Sequence, residues 1–141
     1  MSISLKQADQ AIDAAFAEGA RLGLAPLTVA VTDAGGHLIA MQRQDRASTL
    51  RPQIAVAKAA GALSIGVSSR RIAEMAADRP TFVTMLGNLT PQGIVPAAGG
   101  VIVVDDEGSP IGAIGVTGDT SDNDELCAMA GLAAAALKAQ R

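Results

Sequence analysis

The sequence has no Trp or Tyr, two Phe, one Cys and one His in 141 residues. Without aromatic rings it offers no platform on which bases could stack, which argues against single-stranded nucleic acid as a partner. The net charge of −3 is made of dispersed charges, so there is no basic field for duplex either. Cys127, standing alone, can form no intrachain disulfide, and no Cys/His spacing suits structural zinc. A single histidine limits catalytic triads, and no serine sits in a nucleophile elbow. No apolar run approaches a membrane span, because Lys58 and polar residues interrupt the Ala-rich stretches. The opening MSISLKQADQ lacks the basic-then-apolar layout of a signal peptide, so the expected location is the cytoplasm.

What is present is a chain that is 49% hydrophobic, dominated by Ala, Val, Ile and Leu, with 15 Gly. That length suits one domain, residues 1–141, with a core of small aliphatics whose backbones can pack closely. Ser4 and Gln7 form a capping-box pattern, and Leu5, Ala8, Ile12, Ala15, Phe16 and Gly19 recur at helical spacing to about Gly23. Leu27 to Asp33 reads as a strand, with His37 to Arg43 as its hairpin partner. A helix is expected from Arg51 to Ile65 with Pro52 in its first turn, then a short helix capped by Ser68 and another after Pro80. Residues 87–98 read as a loop, Val101 to Asp105 and Ile111 to Thr117 as a second hairpin, and Ser121 with Asp124 as the cap of a last helix to about Lys138. Short turns between neighbouring strands give an antiparallel sheet, and helices long enough to cover it make a layered α+β domain.

The hairpins look like copies. Val29 to Ala40 aligned with Ile102 to Ala113 pairs Asp33 with Asp106, Gly35 with Gly108 and His37 with Pro110. In that alignment the Asp bonds its own turn and Gly35 and Gly108 supply a positive φ, which leaves His37 unexplained by turn formation.

Strand alternation places His37, Ile39, Met41 and Arg43 on one face, with Asp45 just beyond. Imidazole, guanidinium and carboxylate brought together would fix an anionic ligand or tune a proton donor, whereas a strand-edge histidine needs no function at all. Lys58 is the only charge between Arg51 and Arg70. It reads either as a snorkelling side chain or as a cation held at a pocket. Its helix is apolar nearly all round, so two elements should cover it, the second of them possible from another subunit. Pro96-Ala97-Ala98-Gly99-Gly100 precedes a strand and cannot be a dinucleotide fingerprint, though it would let a ligand approach the backbone. Gly115 to Asp122 runs from strand into helix, but Asp119, Asp122, Asp124 and Glu125 make self-capping the better use of that helix start than phosphate. Cys127 reads as a small buried hydrophobe.

DAGGHLIAMQRQD, AVAKAAGALSIGVSSRRIAE, PAAGG and GAIGVTGDTSDNDELCAMAG, in that order, resemble the GlcG/HbpS family, which includes the C-terminal domain of PduO-type proteins. The likeness runs from about residue 5 to 138. It implies a profilin-like α/β/α layering, with a five-stranded antiparallel sheet flanked by helices, and a homo-oligomer. Four strands are legible, and the fifth is expected near Ile94-Val95 or in another short stretch. Some members of the family bind haem; others sit beside glycolate or diol catabolism. The positions matching family motifs are Gly35, Gly36, His37, Arg43, Asp45, Lys58, Gly99, Gly100 and Asp124. The resemblance therefore implies a binding protein for haem or a related tetrapyrrole, with His37 as axial ligand to the iron and Arg43 or Lys58 on the propionates. Met and Leu would line the pocket. Two other readings stay open: a metal-free enzyme acting on an organic acid with His37 as general acid/base, and an accessory or scaffold subunit.

Overall fold

A computed structural model describes residues 2–141. The order is α1 (Leu5–Leu22), β1 (Thr28–Asp33), β2 (Leu38–Arg43), α2 (Arg51–Ile65), α3 (Ser69–Asp78), α4 (Pro80–Leu89), β3 (Gly100–Val104), β4 (Pro110–Thr117), α5 (Ser121–Ala134) and β5 (Lys138–Ala139). The strands form one antiparallel sheet in the order β2-β1-β4-β3-β5. Helices α1 and α5 pack together on one face, and α2 lies on the other with α3 and α4 beside it. This is the expected three-layer arrangement. Among the described residues no helix is long and apolar enough to cross a membrane.

Local chemistry sets the boundaries. Ser4 Oγ accepts from Gln7 N (3.1 Å) while Gln7 Oε1 accepts from Ser4 N (3.0 Å), closing the capping box of α1. Ser68 caps α3 as expected, accepting from Arg71 N. The cap of α5 is Thr120, which accepts from Asn123 N; Ser121 is already helical and the Asp124 carboxylate turns inward instead. Helix α4 runs on to Leu89, so the loop is shorter than its Gly and Pro residues imply. The expected extension of α5 to Lys138 is also wrong. Ala136 takes φ +55°, with Ala136 N donating to Ala133 O and Leu137 N to Leu132 O. That is a Schellman stop with alanine where glycine is usual. The chain then returns as β5, which pairs with Val103 and Val104 and is the fifth strand; Ile94-Val95 stays in the loop.

The two faces of the sheet differ in size. Val29, Val31, Val101, Val103, Ile114 and Val116 fill the side under α1 and α5. Thr28, Ala30, Thr32, Ala113, Gly115 and Thr117 alternate with them and make a smoother surface under α2. At Gly115 and Gly100 an added Cβ would collide with the carbonyls of Ala55 and Lys58, so the α2 backbone rests directly on the sheet. From its other side, Gly93 and Ile94 press on Gly61. The chain's own loop therefore supplies part of the cover that the apolar helix requires.

The hairpins do repeat, but one residue away from the sequence alignment. Asp33 Oδ1 accepts from Gly35 N and His37 N, both at 2.9 Å; Asp105 Oδ1 accepts from Glu107 N and Ser109 N, both at 2.9 Å. Positive φ falls at Gly36 (+80°) and Gly108 (+86°), not at Gly35. Asp33 thus matches Asp105, and His37 matches Ser109 rather than Pro110.

Candidate functional site

The expected site residues fall into three groups. Gly35, Gly36 and His37 occupy the β1–β2 turn. Arg43 ends β2 at the opposite edge, six residues from His37 and about 20 Å away at the usual rise of a strand. Asp45 follows in the next loop, so His37, Arg43 and Asp45 do not converge. The shared face is broken as well. Between Val31 and Thr32 the register slips, leaving Ile39 as an extra residue that packs toward the α1/α5 core while Met41 faces α2.

At the turn the His37 side chain is 79% exposed, with Nδ1 3.3 Å from Asp33 Oδ1. The backbone amide of His37 and that of Gly35 hold the Asp33 carboxyl below its ordinary range. A carboxylate beside Nδ1 is the usual second partner of a ligating imidazole.

Lys58, Gly99, Gly100 and Asp124 do come together, in the interior. Lys58 Nζ donates to Asp124 Oδ2 (3.2 Å) and Val116 O (3.0 Å), and both side chains of the pair are at most 3% exposed. Asp124 Oδ1 also accepts from Asp119 N at 2.9 Å. Burial pushes the Lys58 ammonium below its ordinary pKa; Asp124 opposes the shift and Arg51 adds to it. Gly99 lies against Lys58 Nζ and Val116 O, and Gly100 N donates to Ser69 Oγ at 2.7 Å. The pair ties α2 to β4 and to the start of α5. Sealed in this way, Lys58 is neither a snorkelling lysine nor a cation offered to a ligand.

A hollow of about 390 Å³ opens between β2 and α2, lined by Met41, Pro52, Gln53, Val56 and Gln92. Gln92 Nε2 donates to Gly36 O (2.7 Å), joining its rim to the His37 turn, although His37 itself does not line it. Among the described residues no three His, Cys, Asp or Glu side chains are grouped to hold a metal ion. Cys127 is buried, which pushes its thiol up to about 11 and keeps it unreactive.

The sequence matches the family described as "Haem degrading protein HbpS-like" over residues 3–133. The chain belongs to that family. HbpS-like architecture extends through the solved structures it resembles. HbpS itself is 30% identical, covers 94% of this chain and 89% of its own, and superposes with a TM-score of 0.80. A Klebsiella pneumoniae protein, ORFY, of the DUF336 family is 29% identical over 95% of this chain and 90% of its own, with a TM-score of 0.83. The complex of PduOC with haem shares the fold at a TM-score of 0.88, with 21% identity over all of both chains. Among curated proteins no sequence matches.

Haem is the group that an HbpS-like fold suggests, and the residues here can be tested against it. The donor fits: one exposed imidazole, braced at Nδ1 by a carboxylate. The expected propionate partners do not accompany it, since Lys58 is spent on Asp124 and Arg43 lies at the far end of β2. Sequence reasoning also passed over Arg51, whose Nη1 donates to Thr117 Oγ1 at 2.7 Å. Its signal was available: a cation in the first turn of a helix that has no acidic residue there opposes the macrodipole and calls for some other compensation.

Proposed function

We propose that this HbpS-like protein is an oligomeric cytoplasmic binding protein for haem or a related tetrapyrrole, with His37 as the iron ligand. The observation that carries the reading is the His37–Asp33 arrangement in a chain of this family. The imidazole is exposed, with Asp33 Oδ1 3.3 Å from Nδ1, so Nε2 can meet a ligand without any rearrangement of the fold. The apolar hollow beside the turn, with Met41, Pro52 and Val56, supports an apolar macrocycle and replaces the missing Trp and Tyr. Bound haem brings a redox-active iron; the protein's part is to supply one nitrogen and exclude water from one side. The organic-acid enzyme is the weaker reading, because it needs His37 and a carboxylate anchor in one place and neither Arg43 nor Lys58 is there.

Titration of the apo-protein with haemin should give a sharpened, shifted Soret band, and His37→Ala should abolish it with the far-ultraviolet circular dichroism unchanged. Identical haemin spectra for the two proteins would end the axial-ligand reading.

A further inference from the structure

The first turn of α2 presents positive charge with nothing negative to meet it. Arg51 is half-buried, sits at the positive end of the helix dipole, and has no acidic residue or side-chain cap in that turn. Among the described residues its only side-chain bond is to a neutral hydroxyl, Thr117 Oγ1. Lys58, two turns further along α2, feels its charge, and the one carboxylate in the interior, Asp124, is taken by Lys58. Among the described residues no carboxylate lies within ion-pair distance of Arg51 or Arg43: Asp45, two residues beyond Arg43, pairs with neither, and Asp119 accepts from Ala25 N and Asn123 Nδ2.

Beneath this turn lies an unmet polar atom. Thr28 is fully buried and its Oγ1 has no hydrogen-bond partner. Buried hydroxyls are nearly always satisfied, so one that is not asks for a missing partner. Cross-strand register puts Thr28 between Thr117 on β4 and Arg43 on β2, and paired residues project to the same face, here the α2 side. Two arginines without carboxylates thus flank a row of two threonine hydroxyls. Met41, two residues before Arg43, and Pro52, next to Arg51, line the apolar hollow that opens beside the row.

From this we infer that Arg43, Arg51, Thr28 and Thr117 form a binding site for the carboxylate of a small organic acid, whose apolar body rests in the Met41/Pro52/Val56 hollow. The Arg51 guanidinium covers the hydroxyls and swings from Thr117 to the incoming anion, after which both hydroxyls donate to it. A guanidinium fork and hydroxyl donors match a planar carboxylate. The site stands independently of haem, because the row lies at the Arg43 end of the sheet, away from the His37 turn.

The test is a titration of ¹⁵N-labelled full-length protein with sodium acetate at constant ionic strength, set against sodium chloride, following the arginine Nε–Hε signals. Acetate should move Arg43 and Arg51 saturably and chloride should not. Arg51→Gln should weaken acetate binding about tenfold or more, the usual loss for a charge-assisted contact. Thr28→Val should weaken it severalfold while raising the melting temperature, since the variant removes an orphan hydroxyl at constant shape. If Thr28→Val is more stable but binds acetate like the wild type, the site is refuted. Absence of a saturable acetate response overturns the proposal.

Discussion

A left-handed backbone angle is a demand made on a single residue, and in each hairpin it falls on the second position before the new strand. Gly108 faces open space, so Gly108→Ala should cost only the strain of φ +86°, about 1–2 kcal/mol. Gly36→Ala carries the same strain and also brings a Cβ to 3.2 Å from Ala60 Cβ, so it should cost more. Gly35→Ala should cost less than either: its φ is ordinary, and the added Cβ meets the movable ring of His37 at 2.9 Å and Asp33 Oδ1 at 3.4 Å, the ring being free to turn away. Urea melts of the three variants check the order, and a Gly35→Ala loss equal to that of Gly36→Ala would contradict the assignment. The repeat was legible in the sequence because Asp and Gly recur at fixed spacing. Its register was not, because Gly35-Gly36 and Asp105-Asp106 each offer two adjacent residues of the required type. Only the hydrogen bonds to Asp33 and Asp105 choose between them.

Among the elements, α2 is the one on which the site depends. Its Ala face and the glycines at 100 and 115 let helix and sheet backbones touch, and that closeness is what buries Lys58 against Asp124. Breaking a buried ion pair from one side leaves the other charge unpaired, at a cost of about 3–5 kcal/mol. Lys58→Met should therefore destabilise by that amount. Adding Asp124→Asn should recover part of the loss, because the amide oxygen can still accept from Asp119 N. Chemical denaturation of the two single variants and the double variant measures the coupling; additive losses would mean that the pair is not an interacting unit. Helical spacing revealed α1, Pro52 at the head of an apolar run revealed α2, and two hairpin turns revealed four strands. The stop of α5 was hidden because an alanine run carries no punctuation: Ala136 adopts the left-handed angle without the glycine that would announce it. The fifth strand followed from that stop and was lost with it. Lys58 was visible as an isolated charge, but its partner lies 66 residues away at the start of α5, and only the tertiary fold brings the two together.

At the level of the whole molecule, the case for a homo-oligomer shifts its ground. An apolar α2 helix calls for a second covering element, and the chain's own Gly93 and Ile94 already cover Gly61. A stripe of exposed apolar side chains lies instead on α4, where Phe82, Met85 and Leu89 stand at i, i+3 and i+7, with Leu89 78% exposed. Such a stripe on a small domain is costly to leave in water, and burying it against another copy recovers about 25 cal/mol for each Å² removed. We expect a particle larger than 14.1 kDa in light scattering at micromolar concentration, and a melting temperature that rises with protein concentration, as linkage between folding and assembly requires. Met85→Glu with Leu89→Glu should give a monomer whose circular dichroism matches the wild type, since neither side chain belongs to the core. A 14.1 kDa wild-type particle would remove the oligomer; a double variant that still assembles would keep it and move the interface away from α4. In that second case the apolar hollow at Met41 and Val56 is the next surface to substitute, because a second copy seated there would close the space in which the ligand is expected to lie.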